Sequence, residues 1–415
     1  MAHLLLLDVP GGNDFAVLED AVRDGHEVTF YTSDLDHYHR QGDVTRTFLN
    51  HAREIIEIRP FNYSDFEHSA LEVHQREPFD AILCLIDIRL IEASQLAEKL
   101  GLRFLNPVTT RLMRDKFTVR ETLAMHGVRQ PRFALARTID ELRYAISEIG
   151  FPVLVKPSDG YGSQNVTRLT SEAELQLFAD SFVQTTLAPT DYGLGVYANN
   201  RFSVEQYITG HLIGCDVFSV SNARILLGIN DKVMFPPPSF AMRGSCFPSD
   251  RFDVSALREY AFAILDAVNF DFGAAHIEMI VTADGPYLVE VNPRLVSAQI
   301  PYQMGYALER SIYADLIRLH LGAPLMDLPE FAPRWFSVIR WITAGRPGML
   351  QGVRLPERPD PLVRRVVLLK EQGASVRPPI SNGDRIGYVI AVGQTPEAAE
   401  ELADKYVRDT LVELQ

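Results

Sequence analysis

Short apolar runs alternate with amphipathic segments along the first hundred residues. Apolar runs at residues 4–9, 26–31 and 79–86 predict strands, and residues 16–24 predict a helix. Another helix is predicted to end near Leu100. Strands that alternate with helices are typical of a parallel sheet with helices on both faces. This part of the chain is therefore predicted to be a parallel α/β domain.

Two lysines stand out in the elements that follow. Residues 109–125 have the pattern of one helix, which carries Lys116. Residues 151–156 form an apolar strand that ends in Lys156. The loop after it, residues 157–164, is rich in small residues, and its backbone N–H groups could close over phosphates. Its pattern is not that of a P-loop, and a plain turn is the alternative.

Another strand is predicted at residues 201–208, and a hairpin is predicted to join it to residues 213–220. Its last residues have the character of a strand that lies beside an adenine base. The backbone would meet the adenine edge, and a carboxylate would hold the ribose hydroxyls. This pattern is weak when it is taken alone.

A β-hairpin is predicted around the turn signal at residues 283–285, which two apolar-rich runs flank. If residue 282 pairs with residue 286, Glu278 lies directly opposite Glu290. Two carboxylates that face each other across a strand pair repel, so this register needs a partner that neutralises them. A divalent cation with oxygen ligands is such a partner.

The same register places His276 opposite Asn292 and divides the hairpin into a polar and an apolar face. Because strand side chains alternate between faces, Glu278, Glu290 and Asn292 share the polar face. Two carboxylates and an amide oxygen suit Mg²⁺, with nucleotide phosphates at the remaining positions. The alternative is an ordinary solvated face. The other face has a core pattern, which consists of Ile277, Met279, Val289 and Val291.

The last third of the chain predicts a small α+β lobe. Strands are expected at residues 335–343, 362–369 and 386–392, followed by an amphipathic helix at residues 396–413. Gly387 lies inside the third of these strands and predicts a close approach of a neighbouring strand.

Composition and charge restrict the classes of function. The chain has 415 residues, 47% apolar and 23% charged, which is a globular composition for two or three domains. A net charge of −14 without a basic run argues against nucleic acid as a partner. The apolar start is too short for a signal peptide, and no segment approaches a membrane span. Three widely spaced cysteines, Cys84, Cys215 and Cys246, indicate a reducing cytoplasm.

Taken together, the motifs resemble those of the ATP-grasp superfamily over nearly the whole chain. The most specific string is EVNPR at residues 290–294, with Glu278 of the string HIEM twelve residues before Glu290. The resemblance implies two nucleotide-binding lysines, a glycine-rich loop, an adenine-linker strand, metal ligands and a catalytic arginine. The lysines are Lys116 and Lys156, and the loop residues are Gly160, Gly162, Ser163 and Gln164. The adenine-linker residues are Glu205, Gln206, Tyr207 and Ile208. The metal ligands are Glu278, Glu290 and Asn292, and the catalytic arginine is Arg294.

The resemblance also implies the fold and the ligands. The expected fold class is mixed α/β and α+β: an ATP-grasp fold with an N-terminal parallel α/β domain, a mobile lid subdomain and a C-terminal α+β catalytic lobe. ATP and Mg²⁺, or Mn²⁺ in its place, are the expected cofactors. The expected boundaries are 1–108 for the N-terminal domain, 109–150 for a linker helix region, 151–211 for the lid, 212–330 for the catalytic core and 331–415 for a C-terminal α+β lobe.

Within the superfamily, the chain is most similar to the carboxylate–amine ligases that join L-amino acids. Residues 230–250 resemble the segment over the amino-acid pocket of those ligases, and residues 384–391 resemble their tail. Arg243 of this segment could pair with an amino-acid carboxylate, although many loop arginines are simply solvated. The candidate substrate residues are His276, Arg243, Ser245 and Asp216.

Two departures from the family pattern concern the site. Leu212 stands where the family usually has Glu, which affects a ribose or phosphate contact that Asp216 could replace. Residues 295–298, LVSA, follow Arg294 where the family often has Gly-Gly. Their side chains are expected to reshape the substrate pocket.

The resemblance implies the activation of a poorly electrophilic carboxylate. ATP would phosphorylate an amino-acid carboxylate, and the amine of a second amino acid would attack the acyl phosphate to give a dipeptide, ADP and phosphate, as in secondary metabolism. An acyl phosphate hydrolyses in water, so the glycine-rich loop would close as a lid. The alternatives are another ATP-grasp chemistry, as in purine biosynthesis or biotin carboxylation, and ATP binding without catalysis. The expected partners are small-molecule amino acids, and the oligomeric state stays open, with a homodimer as the commonest soluble assembly.

Overall fold

The described part of the chain covers most of the sequence. The structure is a computed structural model that describes residues 1–10, 12–41, 43–160, 165–187, 194–197, 200–221, 223–236, 241–328, 332–357 and 360–415. Gly162, Ser163 and Gln164 of the predicted glycine-rich loop lie outside these ranges. Within them, every helix is too short or too polar to cross a lipid bilayer.

The N-terminal sheet has four parallel strands in the order β3-β2-β1-β4, as the alternating pattern predicts. All five residues of β1 are buried, which is typical of a parallel strand that helices cover on both faces. The predicted strand at residues 79–86 is shorter in the structure. The elements are β1 (His3–Leu7), α1 (Ala16–Arg23), β2 (Glu27–Thr32), α2 (Leu35–His39), α3 (Asp43–Leu49), β3 (Glu54–Glu57), α4 (Tyr63–Arg76), β4 (Ala81–Leu83) and α5 (Leu90–Leu100).

The single helix predicted at residues 109–125 is wrong, because the structure has two helices, α6 (Pro107–Arg114) and α7 (Lys116–Met125). Asp115 separates them with an extended backbone, and its carboxylate accepts a hydrogen bond from Thr118 N at 2.9 Å. A short acidic side chain favours such capping over the helix interior. The break makes Lys116 the first residue of α7 and directs its backbone N–H to the Ser158 carbonyl at 2.7 Å.

The second sheet has four antiparallel strands in the order β5-β8-β6-β7. Apolar residues of its strands and of two helices form a separate hydrophobic cluster. This unit begins at Phe133, inside the range 109–150 that we expected to be a linker helix region. Its elements are β5 (Phe133–Ala136), α8 (Ile139–Ile149), β6 (Val153–Pro157), β7 (Thr167–Leu169), α9 (Glu172–Leu187) and β8 (Phe202–Gln206).

The predicted hairpin between residues 201–208 and 213–220 does not form. In the structure β8 pairs with β5 on one side and with β6 on the other, so both of its edges are occupied. The strand that follows it in sequence therefore joins a different sheet. Strand pairing that links distant parts of the chain has overridden the local hairpin pattern.

The third sheet has eight antiparallel strands in the order β13-β12-β9-β10-β11-β14-β18-β16. It contains the strands of the catalytic core and continues without interruption into the C-terminal lobe. The lobe is thus part of the same sheet and not a separate layer. The elements up to residue 320 are β9 (His211–Val220), β10 (Ala223–Met234), β11 (Met242–Phe247), α10 (Val254–Ala267), β12 (Phe272–Thr282), β13 (Gly285–Asn292), α11 (Ile300–Leu308) and α12 (Ile312–His320).

The C-terminal residues add an edge to this sheet and a three-stranded sheet in the order β17-β15-β19. Gly387 confirms the predicted close strand contact, since a Cβ atom there would lie 2.5 Å from the Val367 carbonyl oxygen of the neighbouring strand. The elements are β14 (Phe336–Ile342), β15 (Gly348–Arg354), β16 (Val363–Leu368), β17 (Ser375–Val376), β18 (Gly387–Gly393), α13 (Pro396–Asp409) and β19 (Leu411–Leu414).

Replacing Gly387 by alanine should therefore destabilise the C-terminal lobe. The added methyl group would force β16 away from β18, at a cost of about 1–3 kcal/mol in the free energy of unfolding. Gly345→Ala is the matched control, because a Cβ atom there meets nothing within 4 Å. Denaturant unfolding of both variants tests the contact, and equal stability of the two would contradict it.

Candidate active site

Asp87 and Arg294 meet at the carboxyl edge of the parallel sheet. Asp87 lies in a short 3-10 turn after β4, and Arg294 follows β13. Arg294 Nε donates to Asp87 Oδ2 at 2.7 Å, and Arg114 Nη1 lies 3.4 Å from Asp87 Oδ1. In open α/β sheets ligands bind at this edge, where the strand order reverses, here between β1 and β4. Burial opposes the ionised carboxylate, but Arg294 and Arg114 hold the pKa of Asp87 below its ordinary value.

The register of the β12–β13 hairpin contains a bulge. Thr282 pairs with Gly285, so our assumption that residue 282 pairs with residue 286 is wrong by one position. A register shift between Glu278 and Met279 then inserts one extra residue into β13. The shift compensates for the first error, so that Glu278 pairs with Glu290 as predicted. His276 likewise lies opposite Asn292.

The bulge changes which residue of β13 belongs to the core. Leu288 is 1% exposed and packs in the core, whereas Val289, which we predicted for the core face, is half-buried. The backbone carbonyl of Val289 accepts hydrogen bonds from Arg120 Nη2 at 2.9 Å and from Lys156 Nζ at 3.2 Å. The extra residue therefore turns a main-chain acceptor toward basic side chains.

Each carboxylate of the opposed pair has a lysine partner. Lys232 Nζ forms a short ion pair with Glu278, and Lys116 Nζ lies 3.6 Å from Glu290 Oε2. Burial raises the pKa of Glu278, but Lys232 and His276 outweigh it, and the pKa lies below its ordinary value. Sequence reasoning missed Lys232, which lies on β10 within the segment assigned to the amino-acid pocket. The repulsion that predicted a cation is thus relieved by lysines in this structure.

The same residues also fit a divalent cation. Asn292 Nδ2 donates to Glu290 Oε1 at 3.1 Å, which keeps the amide beside the carboxylates. Within the described residues, no three His, Cys, Asp or Glu side chains form a metal site by themselves. A cation here would need oxygen ligands from Glu278, Glu290 and Asn292 together with ligand phosphates, which is a set that Mg²⁺ accepts.

The predicted nucleotide lysines converge on this hairpin. Lys116 Nζ donates to the Gly160 carbonyl oxygen in a short hydrogen bond, and Lys156 Nζ donates to Glu205 Oε2 at 2.9 Å. Lys156 is 6% exposed, and burial lowers its pKa although the Glu205 carboxylate opposes this shift. Two cations therefore lie beside the hairpin, and Lys116 also contacts the first glycine of the predicted loop.

The strand that we predict to lie beside an adenine forms as β8, and its carboxylate, Glu205, has partners within the protein. Glu205 Oε1 accepts a hydrogen bond from the Ser203 hydroxyl at 2.8 Å, and Arg120 and Lys156 bind Oε2. Gln206 and Tyr207 donate their backbone N–H groups to the carbonyls of Arg132 at 2.8 Å and of Pro152 at 3.0 Å, and Ile208 follows them after the end of β8. Glu205 thus binds two cations of the protein itself.

Two of the four candidate substrate residues have side-chain partners away from the β12–β13 hairpin. Arg243 points to α13, where Nη2 lies 3.5 Å from Asp404 Oδ1. Ser245 is fully buried, and its hydroxyl donates to Gln303 Oε1 at 2.8 Å. Strand β11 lies inside the eight-stranded sheet and directs these two side chains to other elements. Their assignment to an amino-acid pocket stays a prediction.

The other two candidate substrate residues, His276 and Asp216, are buried and stabilise the β12–β13 hairpin. His276 is buried, with Nδ1 3.1 Å from Asp216 Oδ1 and Nε2 3.4 Å from a Glu278 oxygen. Burial opposes protonation of His276, but Asp216 outweighs it and raises the pKa above the ordinary value. Asp216 also accepts a hydrogen bond from Val296 N at 3.1 Å. Both residues therefore hold Glu278 and the chain after Arg294 in place.

The residues after Arg294 pack inward. Leu295 and Val296 are 2% and 7% exposed and belong to the hydrophobic core. Ala298 has a positive φ of 67°, and its N–H donates to Asp14 Oδ1 at 2.9 Å. Leu212 pairs with Ile280 in the sheet. Leu295 and Val296 thus belong to the core next to Arg294, whereas Leu212 lies on β9 opposite β12.

Asp14 is a further acidic residue at this site that the sequence did not single out. It is 3% exposed, it accepts a hydrogen bond from the Tyr313 hydroxyl at 3.2 Å, and Arg294 is close enough to act on its charge. Burial raises its pKa to about 6, against the opposing effects of Ala298 N–H and Arg294. The carboxyl follows the first parallel strand, which is the signal that sequence reasoning could have used.

Replacing Asp14 by asparagine should stabilise the protein at pH 7.5 by up to about 3 kcal/mol and have little effect near pH 4. The folded pKa of about 6 lies above the ordinary value of 3.8, so the folded state binds the proton more tightly. Wild-type stability therefore falls as the pH rises from about 4 to about 6. Urea unfolding at both pH values measures the difference, and exposed Asp271→Asn is the control. A difference independent of pH would contradict the argument.

Comparisons with known proteins agree with this arrangement. An ATP-grasp domain model matches residues 149–301, and an L-amino acid ligase C-terminal domain 2 model matches residues 340–415. The uncharacterized protein y4rH of Sinorhizobium fredii is 29% identical over 300 residues, which cover 71% of this chain and 59% of that relative. The chain thus spans less than two thirds of that relative's length.

Solved structures share the fold. An L-amino acid ligase from Bacillus licheniformis has a TM-score of 0.79 and 18% identity, with 100% of this chain and 99% of that chain covered. A phosphoribosylglycinamide synthetase from Anaerococcus prevotii has a TM-score of 0.73 and 16% identity, with both chains covered completely at 100%. At such identities the likeness concerns the fold alone, and the family assignment comes from the sequence models. Residues 149–301 thus belong to the ATP-grasp family, and residues 340–415 match the C-terminal domain 2 of L-amino acid ligases.

Proposed function

We propose that the protein is an ATP-dependent ligase that joins two amino acids into a dipeptide. The carboxylate of one amino acid would be phosphorylated, and the amine of the other would displace phosphate from the acyl phosphate. The observation that supports this most is the meeting of Arg294 and Asp87 beside the Glu278–Glu290 pair. A guanidinium that could bind a transferred phosphoryl group thus lies beside the carboxylates proposed to hold the metal.

The basic side chains would receive the nucleotide. Lys116 and Lys156 would neutralise the phosphates, since Lys116 lies beside Gly160 and Lys156 lies beside Val289 of the hairpin. The remaining residues of the predicted loop, Gly162, Ser163 and Gln164, would close over them. Backbone groups at Gln206, Tyr207 and Ile208 would meet the adenine. Exclusion of water by this closure would protect the acyl phosphate from hydrolysis.

Glu278, Glu290 and Asn292 would hold Mg²⁺ or Mn²⁺. When bound, the cation withdraws charge from the phosphoryl group in transfer. Lys116 and Lys232 now neutralise the two carboxylates, and each would be released toward the incoming phosphates. His276 and Asp216 would keep Glu278 oriented while this exchange occurs.

Arg294 would act on the reacting carboxyl and phosphoryl oxygens. Its planar guanidinium offers forked donors that match two oxygens at once. Asp87 binds Nε and Nη2, which fixes the plane of the group at the edge of the parallel sheet. Positioned donors of this kind stabilise the charge that develops in the transition state.

We propose the same domain boundaries as for the sequence, with one change. We retain 1–108 for the N-terminal domain, 212–330 for the core and 331–415 for the C-terminal lobe. The lid would extend back from 151–211 to Phe133, because β5 belongs to its sheet. The region 109–150 would then contribute only α6 and α7 as a linker.

The same fold admits a second class of reaction, in which bicarbonate or the amine of a ribonucleotide replaces the amino acids. The L-amino acid ligase domain at residues 340–415 favours amino acids. The reaction products separate the two candidates.

Phosphate release should require ATP, Mg²⁺ and two amino acids together. Every pair from an amino-acid panel is tested for phosphate release, with mass detection of the dipeptide. Glu290→Ala should abolish both signals, because it removes a metal carboxylate. Release that depends on bicarbonate or a ribonucleotide, with no dipeptide mass from any pair, would overturn the proposal.

Arg294→Lys should lower kcat by roughly 100- to 1,000-fold, because a lysine cannot supply forked donors. The ATP affinity should change little, since Arg294 is assigned to the reacting groups. Steady-state kinetics and nucleotide titration separate the two effects. Arg334→Lys, which changes an exposed arginine, is the control, and an unchanged kcat in Arg294→Lys would contradict its assigned role.

A further inference from the structure

A buried cluster of two cations and one carboxylate joins the lid, helix α7 and the β12–β13 hairpin. Arg120 is on α7, Lys156 and Glu205 are on the lid strands β6 and β8, and the bulged Val289 is on β13. Arg120 and Glu205 are each 2% exposed, and Lys156 is 6% exposed. Arg120 lies one helical turn after Lys116, on the same side of α7.

The two cations bind the same two acceptors. Arg120 Nη2 lies 2.7 Å from Glu205 Oε2 and 2.9 Å from the Val289 carbonyl oxygen. Lys156 Nζ lies 2.9 Å from Glu205 Oε2 and 3.2 Å from the Val289 carbonyl oxygen. Either cation alone can therefore satisfy both acceptors, and the cluster holds one cation more than it needs.

Arg120 also has an unused donor. Within the described residues, its Nη1 is buried and has no hydrogen-bond partner. Burial lowers the pKa of Lys156, and Arg120 lowers it further, whereas Glu205 opposes both effects. The cluster therefore holds the charge of Lys156 less favourably than water does.

We propose that Arg120 is a positioning residue that remains on Glu205 and the Val289 carbonyl while Lys156 leaves them for the nucleotide phosphates. The proposal rests on the proposed function, which assigns Lys156 to those phosphates. Arg120 would keep the lid joined to the hairpin throughout the exchange. When Lys156 leaves, its acceptors lose a donor, and the Nη1 group of Arg120 would donate a hydrogen bond to one of them.

The cost of a lone buried charge explains why a second cation is needed. Removing one partner of a buried ion pair is strongly destabilising, because the remaining charge stays out of water. With Arg120 present, Glu205 keeps a partner when Lys156 leaves. Without Arg120, every nucleotide that recruits Lys156 must leave the Glu205 carboxylate unpaired.

Arg120→Met should therefore weaken Mg-ATP binding by roughly tenfold to a hundredfold. The variant should still fold, because Lys156 alone can satisfy both acceptors. Isothermal titration calorimetry on the full chain measures the affinity, and denaturant unfolding measures stability. The nucleotide-free stability should fall far more in Arg120→Met/Lys156→Met than the two single variants predict by addition.

A second substitution separates positioning from simple damage. Adding Glu205→Gln to Arg120→Met removes the carboxylate that retains Lys156, so ATP affinity should recover by about tenfold or more. A merely structural role for Arg120 predicts a further loss, since another buried contact is removed. Arg120→Lys keeps a cation on Glu205 and should bind ATP more tightly than Arg120→Met.

Arg340→Met is the matched control. Arg340 is 5% exposed and binds Asp404 and Glu400 in the C-terminal lobe, so its loss removes a buried ion pair far from α7. It should lower stability and leave ATP affinity unchanged. Wild-type protein that fails to bind Mg-ATP would overturn the proposed function and this inference together. Wild-type binding with equal affinity in Arg120→Met, or no recovery with Glu205→Gln, would overturn this inference alone.

Discussion

A single extra residue in strand β13 determines the geometry of the site. The bulge keeps Glu278 opposite Glu290 although Thr282 pairs with Gly285 and not with residue 286. It also turns the Val289 carbonyl toward the cations of α7 and the lid. A regular hairpin could satisfy one of these conditions but not both, because each shift by one residue moves side chains to the opposite face. The opposed carboxylates and the contact of Val289 with Lys156 on β6 thus depend on the same distortion.

Four acidic side chains near the hairpin are neutralised by basic side chains. Each of the four has at least one basic partner, and the partner comes from a different element of the fold. The pairs are Asp87 with Arg294 and Arg114, Glu205 with Arg120 and Lys156, Glu278 with Lys232, and Glu290 with Lys116. Anionic phosphates would compete for these cations, so ligand binding and the relative positions of the elements are linked.

The architecture explains why these partners meet. The carboxyl edge of the parallel sheet supplies Asp87, the lid sheet supplies Glu205, and one end of the eight-stranded sheet supplies the hairpin. Helix α7 runs between them and starts at Lys116, because Asp115 ends the preceding helix and caps this one. The C-terminal lobe extends the same large sheet and contacts the segment around Arg243 through α13. The domain that characterises L-amino acid ligases is therefore continuous with the catalytic core.

The amino-acid sequence alone determined the α/β start of the chain, the two lysines, the hairpin with its opposed carboxylates and the family. These features depend on local periodicity and on short strings such as residues 290–294. Only the tertiary structure decided the partners of those residues. Asp87, Arg120 and Lys232 lie far from Arg294, Glu205 and Glu278 in sequence, and no local pattern connects them. The hairpin predicted after residue 208 is wrong for the same reason, because strand pairing is settled by contacts between distant segments.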